Sequence, residues 1–237
     1  AIIHSGTFFG GGRSMAEAEA AGVKIATTLG LPGEAATVEQ LRAIPPEKMV
    51  ADASTRAGVY IVMDGKVRTT PTRDGFASGA TYDVPLIVGS NNGERGAGAA
   101  KEAAELASTH GKAGAWQYYF TYVPAWRTAE QPKGAPHSAE LPYAFDAQAT
   151  STTGGGSKVT DADRAVARRL NSCWVAFAKA PVTATSLTCA DGFNWPARTA
   201  ENDAIAVFGA TPSLARATPI VADNTAAFPP APPATGR

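Results

Sequence analysis

Two side chains in this sequence have the type and the setting for acid–base chemistry. His137 lies in Lys133-Gly134-Ala135-Pro136-His137-Ser138-Ala139-Glu140-Leu141-Pro142-Tyr143, flanked by a glycine and two prolines. Proline fixes its own φ, so such a loop is stiff and holds an imidazole in one orientation, as a general base requires. Imidazole is also the side chain that changes charge near neutral pH. Glu94 follows the apolar run Val84-Pro85-Leu86-Ile87-Val88 across a short polar loop. The carboxyl ends of parallel strands are where α/β enzymes place reactive groups. Read in isolation, each is an ordinary loop residue, and a lone loop Glu is more often a solvated acid.

The other candidates have plainer readings. His110 precedes Gly111 at an expected helix C-terminus, where a cation suits the helix dipole. His4 lies in the apolar opening stretch and reads as structural. Ser5 lacks the G-x-S-x-G turn that exposes a nucleophilic serine, and that pattern occurs nowhere in the 237 residues. No histidine pair stands at metal-ligand spacing, and Gly10-Gly11-Gly12 fits no phosphate-loop or dinucleotide pattern. Cys173 and Cys189 allow either a disulfide or one buried and one incidental thiol. The polar, turn-rich stretch Thr188-Cys189-Ala190-Asp191-Gly192 favours the disulfide, because an exposed thiol there is a liability.

The elements that must position these groups follow from periodicity and caps. Ser14 with Glu17 makes a capping box for a helix over 15–29, and Gly30 ends it. Shorter helices are expected over 37–44, 46–53 and 72–78, the first stopped by Pro45-Pro46. An apolar strand over 59–63 meets Asp64-Gly65, a hairpin signal, with 66–70 pairing back. Residues 84–88 are continuously apolar, as a strand buried on both faces of a parallel sheet should be. The second half of 96–110 is expected to be helical and 115–123 to be a second core strand. Loop is expected over 124–136, and 150–157, with three consecutive glycines, reads as mobile. Thr160 caps a long helix over 161–178 whose Leu170, Trp174 and Phe177 share a face, and 205–208 is a late strand. Strands and helices in mixed order point to an α/β layered fold with a sheet that looks incomplete.

Composition narrows the function classes. Lys+Arg and Asp+Glu are 21 each, so the formal charge is zero and the electrostatic footprint of a nucleic-acid binder is missing. No apolar run is long enough to span a bilayer.

Several stretches then match one pattern in order. Ala1-Ile2-Ile3-His4-Ser5-Gly6 is similar to A-I-x-Q-S-G, and Ala16-Glu17-Ala18-Glu19-Ala20-Ala21-Gly22 to the helix that follows it. Asp64-Gly65 with Asp83-Val84-Pro85-Leu86-Ile87-Val88-Gly89-Ser90-Asn91-Asn92-Gly93-Glu94 is similar to D-G … V-P-L-L-x-G-x-N-x-D-E-G. Gly134-Ala135-Pro136-His137-Ser138-Ala139-Glu140-Leu141-Pro142-Tyr143-Ala144-Phe145 is similar to G-A-x-H-G-x-E-L-P-Y-V-F. Trp174-Val175-Ala176-Phe177-Ala178 and Trp195-Pro196 are similar to closing W-x-x-F-A and W-P-x-Y blocks. Together, up to about Val221, they resemble the type-B carboxylesterase/cholinesterase family of α/β-hydrolases.

That resemblance implies the C-terminal part of an α/β-hydrolase fold: a mixed, mostly parallel sheet with flanking helices, incomplete without an upstream segment. Residues 1–225 would form this part of the catalytic domain, and 226–237 a Pro-rich disordered tail. It implies ester hydrolysis by a Ser-Glu-His triad through an acyl-enzyme, with Glu94 as the acid and His137 as the base. The serine and the oxyanion hole would come from the N-terminal segment, and no cofactor is called for. The partners implied are that segment and a small-molecule ester, with no nucleic acid. A silent binding or adhesion module, or an inactive truncated fragment, is the competing reading. Of the aromatic residues, Trp126 and Phe145 are the expected substrate contacts. The Cys173–Cys189 pairing and the family's habits imply a secreted or periplasmic protein. Departures from the pattern are Gly93 and Arg95 beside the acid, Ser138 after the histidine and Arg198 in the last block.

Overall fold

A computed structural model describes residues 1–6, 12–51 and 61–227. In chain order the strands are β1 (Ile2–His4), β2 (Arg13–Ser14), β3 (Val62–Met63), β4 (Leu86–Asn91) and β5 (Ala115–Phe120). They continue with β6 (Ser186–Thr188), β7 (Asn194–Pro196), β8 (Ala204–Phe208) and β9 (Pro212–Arg216). The α-helices are α1 (Met15–Thr28), α2 (Val38–Arg42), α3 (Pro46–Ala51) and α4 (Thr72–Ala77). After these come α5 (Ala97–His110), α6 (Leu141–Ala144), α7 (Asp161–Lys179) and α8 (Ala217–Ala227). The chain divides into two units, Ala1–Phe8 with Phe76–Arg237, and Phe9–Gly75.

The first unit is built on a five-stranded sheet in the order β1-β4-β5-β8-β9. The first four strands are parallel and β9 is antiparallel at the edge. Every residue of β4 and β5 is buried, which accounts for their largely apolar make-up, with Ser90, Asn91 and Gln117 the polar exceptions. One face of the sheet presents Ile87, Trp116, Tyr118, Phe120, Ala206 and Phe208 to Val166, Leu170, Cys173 and Trp174 of α7. That helical stripe is what amphipathic spacing predicts, and each fully buried large side chain contributes roughly 1.5–3 kcal/mol. The other face packs Tyr119 and Ile205 against Ala97 of α5 and Ala217 of α8. A hairpin of β6 and β7 carries Trp195 into the first layer, and the Cys173–Cys189 disulfide ties α7 to it. The N-cap expected at Thr160 is present, and Asp163 extends it into a capping box. No helix among the described residues is long and apolar enough to cross a membrane.

In the second unit the capping box of Ser14 and Glu17 starts α1 as expected, and Thr37 with Gln40 makes another at α2. The hairpin expected at Asp64-Gly65 does not form. Asp64 Oδ1 accepts the N–H groups of Lys66, Val67 and Arg68, so those donors are unavailable to a ladder. β3 instead pairs parallel with β2.

Other boundaries also differ from expectation. β4 starts at Leu86, because Pro85 has no N–H to give, and it runs on to Asn91, two residues short of Gly93. β5 stops at Phe120. α5 begins at Ala97, immediately after Gly96, and 141–144 form a single helical turn. The glycine stretch near 154–156 is not a loose linker: Gly154 is buried, and a Cβ on Gly155 would strike the Trp126 ring. The β6–β7 hairpin, β9 and α8 were not anticipated. α8 extends through Ala227, so Ala226 and Ala227 of the expected tail are helical. Gly10 and Gly11, residues 52–53 and 59–60, and the chain beyond Ala227 lie outside the described residues.

Candidate active site

Two loops meet at the carboxyl end of the sheet. The first leaves β4 at Asn91 and carries Glu94; the second carries His137. They are zipped together by one main-chain pair and two asparagine amides. Gly93 N donates to Ala135 O (2.8 Å), and Ala135 N donates to Asn92 Oδ1 (2.7 Å). Asn91 Nδ2 donates to Pro136 O (2.7 Å), one residue before His137. Gly93 is required at this crossing. A Cβ there would lie 2.6 and 2.7 Å from the carbonyl oxygens of Gly134 and Ala135. The departure from the family pattern at Gly93 is therefore matched to the close approach of the second loop.

This zipper brings the two predicted groups together. His137 Nδ1 and Glu94 Oε2 are 2.6 Å apart. The Glu94 side chain is 11% exposed and the imidazole 67% exposed. With Nδ1 engaged by the carboxylate, Nε2 is the ring nitrogen left to exchange a proton. The second carboxylate oxygen, Oε1, accepts from Ser5 Oγ and from Asn91 N (2.9 Å). The Glu94 carboxylate is thus held at both oxygens by the residue after β1, by the end of β4 and by the His137 loop. Ser5 and Ser138 have left-handed φ of 55° and 66°, a conformation that strains a side chain bearing Cβ. Ser138 follows the histidine, where the family pattern has glycine.

A second histidine–carboxylate pair lies beneath the first. His4 Nδ1 is 3.0 Å from Glu140 Oε1 and 3.2 Å from Tyr118 Oη. Trp174 Nε1 donates to His4 Nε2 (3.1 Å). An indole N–H can only donate, so Nε2 is the acceptor and the ring proton sits on Nδ1, where Glu140 receives it. Asn91 Nδ2 donates to the other Glu140 oxygen. Burial would push the Glu140 carboxyl up, but hydrogen bonds from His4 and Asn91 outweigh it and hold the group below the ordinary carboxylate range. Burial, then the charges of Glu140 and Glu94, push the Tyr118 phenol far above its usual value. Asn91 belongs to both networks and couples them.

The remaining predicted residues lie elsewhere. Trp126 is half-buried, with the Arg127 and Lys158 cations each 5.4 Å from its ring centroid. It lines an open groove of about 340 Å³ with Thr153 and Gly155. A neighbouring groove of about 390 Å³ is lined by Gly93, Lys133, Gly134 and Pro136, directly beside the zipped loops. Phe145 is 68% exposed at the end of α6. His110 closes α5 and lines a separate cavity of about 190 Å³ with Leu86 and Leu106, at the opposite end of β4. Sequence reasoning missed Ser5, Asn91, Asn92 and Glu140 as site residues and set His4 aside as structural. The one available signal was the three-residue spacing from His137 to Glu140, which puts both on one turn.

Comparison with known proteins agrees with this architecture. The sequence profile of the carboxylesterase family matches residues 98–219. The carboxylesterase EST55 of Geobacillus stearothermophilus superposes with a TM-score of 0.67 at 19% identity, over 96% of this chain and 57% of that one. A thermophilic PNB esterase gives a TM-score of 0.67 at 17% identity, over 96% and 57%. Another PNB esterase structure gives 0.68 at 17%, over 98% and 57%. The chain therefore spans less than two thirds of these structures, and the sheet is part of an α/β-hydrolase fold. No curated protein matches in sequence.

Proposed function

Because the chain belongs to the carboxylesterase family, we propose that it supplies the acid and the base of a serine carboxylesterase triad. The observation that carries this reading is the 2.6 Å contact of His137 Nδ1 with a nearly buried Glu94 carboxylate, beneath an imidazole open to solvent. The nucleophilic serine and the oxyanion donors come from a segment N-terminal to these residues. Two facts support that: G-x-S-x-G does not occur in the sequence, and the chain spans 57% of the esterases it superposes on.

In this mechanism the serine oxygen attacks the ester carbonyl while its proton passes to His137 Nε2. Glu94 fixes the Nδ1–H tautomer and stabilises the imidazolium. His137 then protonates the leaving alkoxide as the C–O bond breaks, which gives alcohol and an acyl-serine. Water repeats the sequence in reverse: His137 takes its proton, the acid departs, and the proton returns to the serine. Every proton is carried by side chains. Trp126 and Phe145 are the aromatic side chains we assign to the ester's substituents. The Cys173–Cys189 bridge supports an oxidising compartment, secreted or periplasmic.

A fluorophosphonate label and a nitrophenyl ester assay test the proposal. These 237 residues alone should neither turn over nor label. Joined to the upstream segment they should do both, with the label on a serine outside them, and His137→Ala should abolish labelling. A label within the 237 residues, or full activity in His137→Ala, refutes the assignment.

A further inference from the structure

The final helix ends in a contact that the triad does not explain. Ala217, Ile220, Val221 and Asn224 recur on one face of α8, the face turned to the sheet and α5. Asn224 is the polar residue of that stripe, and it is only 5% exposed. An amide buried among apolar neighbours costs free energy unless its hydrogens are taken up. Both have takers. Nδ2 donates to the main-chain oxygen of Glu94 (2.9 Å) and to Tyr119 Oη (3.2 Å).

Glu94 O lies in the short turn between β4 and α5, just before Gly96. A part-buried carbonyl in such a turn needs a donor, and α8 brings one from 130 residues away. The carboxylate of Glu94 is already fixed by Ser5 and Asn91. Its backbone is fixed by Asn224. With tip and root both held, the side chain has little freedom to swing away from His137.

We infer that Asn224 is a positioning residue: through it, the C-terminal helix sets the backbone from which Glu94 reaches His137. The inference rests on reading Glu94 and His137 as the acid–base pair, and one experiment separates the two. The chain has three histidines, His4, His110 and His137. With 15N-labelled histidine, a long-range 1H–15N correlation at alkaline pH reads the tautomer of each ring. His137 should be held as Nδ1–H by Glu94, and His4 as Nδ1–H by Glu140. Asn224→Asp keeps the shape and removes the donor. It should shift the His137 tautomer ratio toward Nε2–H by about five-fold, the factor carried by one ordinary hydrogen bond, and leave His4 unchanged. Asn224→Ser, uncharged and too short to reach Glu94 O, carries the same expectation should the aspartate variant fail to fold. Glu94→Gln is the control. If it shifts His137 and the Asn224 variants do not, the inference about Asn224 is wrong and the acid–base reading stands. If Glu94→Gln also leaves His137 unmoved, the acid–base reading itself fails. A change of His4 and His137 together would mean general loosening and would likewise overturn the positioning role.

Discussion

Glu140→Gln isolates the charge of the buried carboxylate while keeping its shape. Glu140 is fully buried and accepts from His4 Nδ1 and Asn91 Nδ2. In the variant, one amide oxygen still faces one of these donors, and the amide NH2 faces the other. One charge-assisted bond is lost, which costs about 1.5–3 kcal/mol, and the surviving bond falls to neutral strength, about another 1 kcal/mol. The expected destabilisation is about 3 kcal/mol. For a chain of this size that is a fall in Tm of roughly 6–12 °C. The pH dependence has a definite sign. The folded carboxyl is depressed below the ordinary glutamate range, so its contribution is fully present above that range and is lost as pH falls through the folded pKa. Urea unfolding of both proteins at neutral pH and through the acid range measures this. The gap between them should be widest at neutral pH and should narrow on acidification. A gap below about 0.5 kcal/mol at neutral pH, or one that widens in acid, would show that the His4–Glu140–Asn91 network does not hold the fold in this way.

Two further effects follow from the structure. Ser138→Gly, which relieves a φ of 66°, should stabilise the protein by about 1 kcal/mol, seen as a higher urea midpoint with an unchanged slope. Reducing Cys173–Cys189, which closes a loop of 16 residues, should cost about 3 kcal/mol by the chain-entropy account, seen as a lower Tm in dithiothreitol that Cys173→Ala/Cys189→Ala reproduces without reductant.

Much of the frame was legible because it is local. Ser14 with Glu17, and Thr160 with its long helix, announce themselves within one turn of chain. Within the 84–88 run, Leu86-Ile87-Val88 reads as buried because both faces of β4 are, whereas Val84, outside the strand, is exposed. Local signals misled where a side chain competed with the backbone, as Asp64 did at the expected hairpin. They were silent where partners are far apart. Asn91 and Asn92 look like loop polarity in sequence, yet they bond to residues 45 and 43 positions away. Glu140 looks like a surface acid, and its burial depends on His4, 136 residues earlier. The alanine-rich α8 carries little amphipathic pattern, so neither the helix nor Asn224 stood out. Glu94 and His137 were found because family blocks supply the long-range pairing that periodicity lacks.

The zipper between the two loops has a consequence for how such a site can change. Because Gly93 and Ala135 pair through main-chain atoms, with the Asn91 and Asn92 amides closing the rest, the spacing of Glu94 and His137 depends on chain length together with these few residues. Inserting or deleting a single residue in one loop would slide Glu94 or His137 out of step with the other. An engineer who wishes to graft this pair onto another scaffold has to carry both loops across as one rigid cassette.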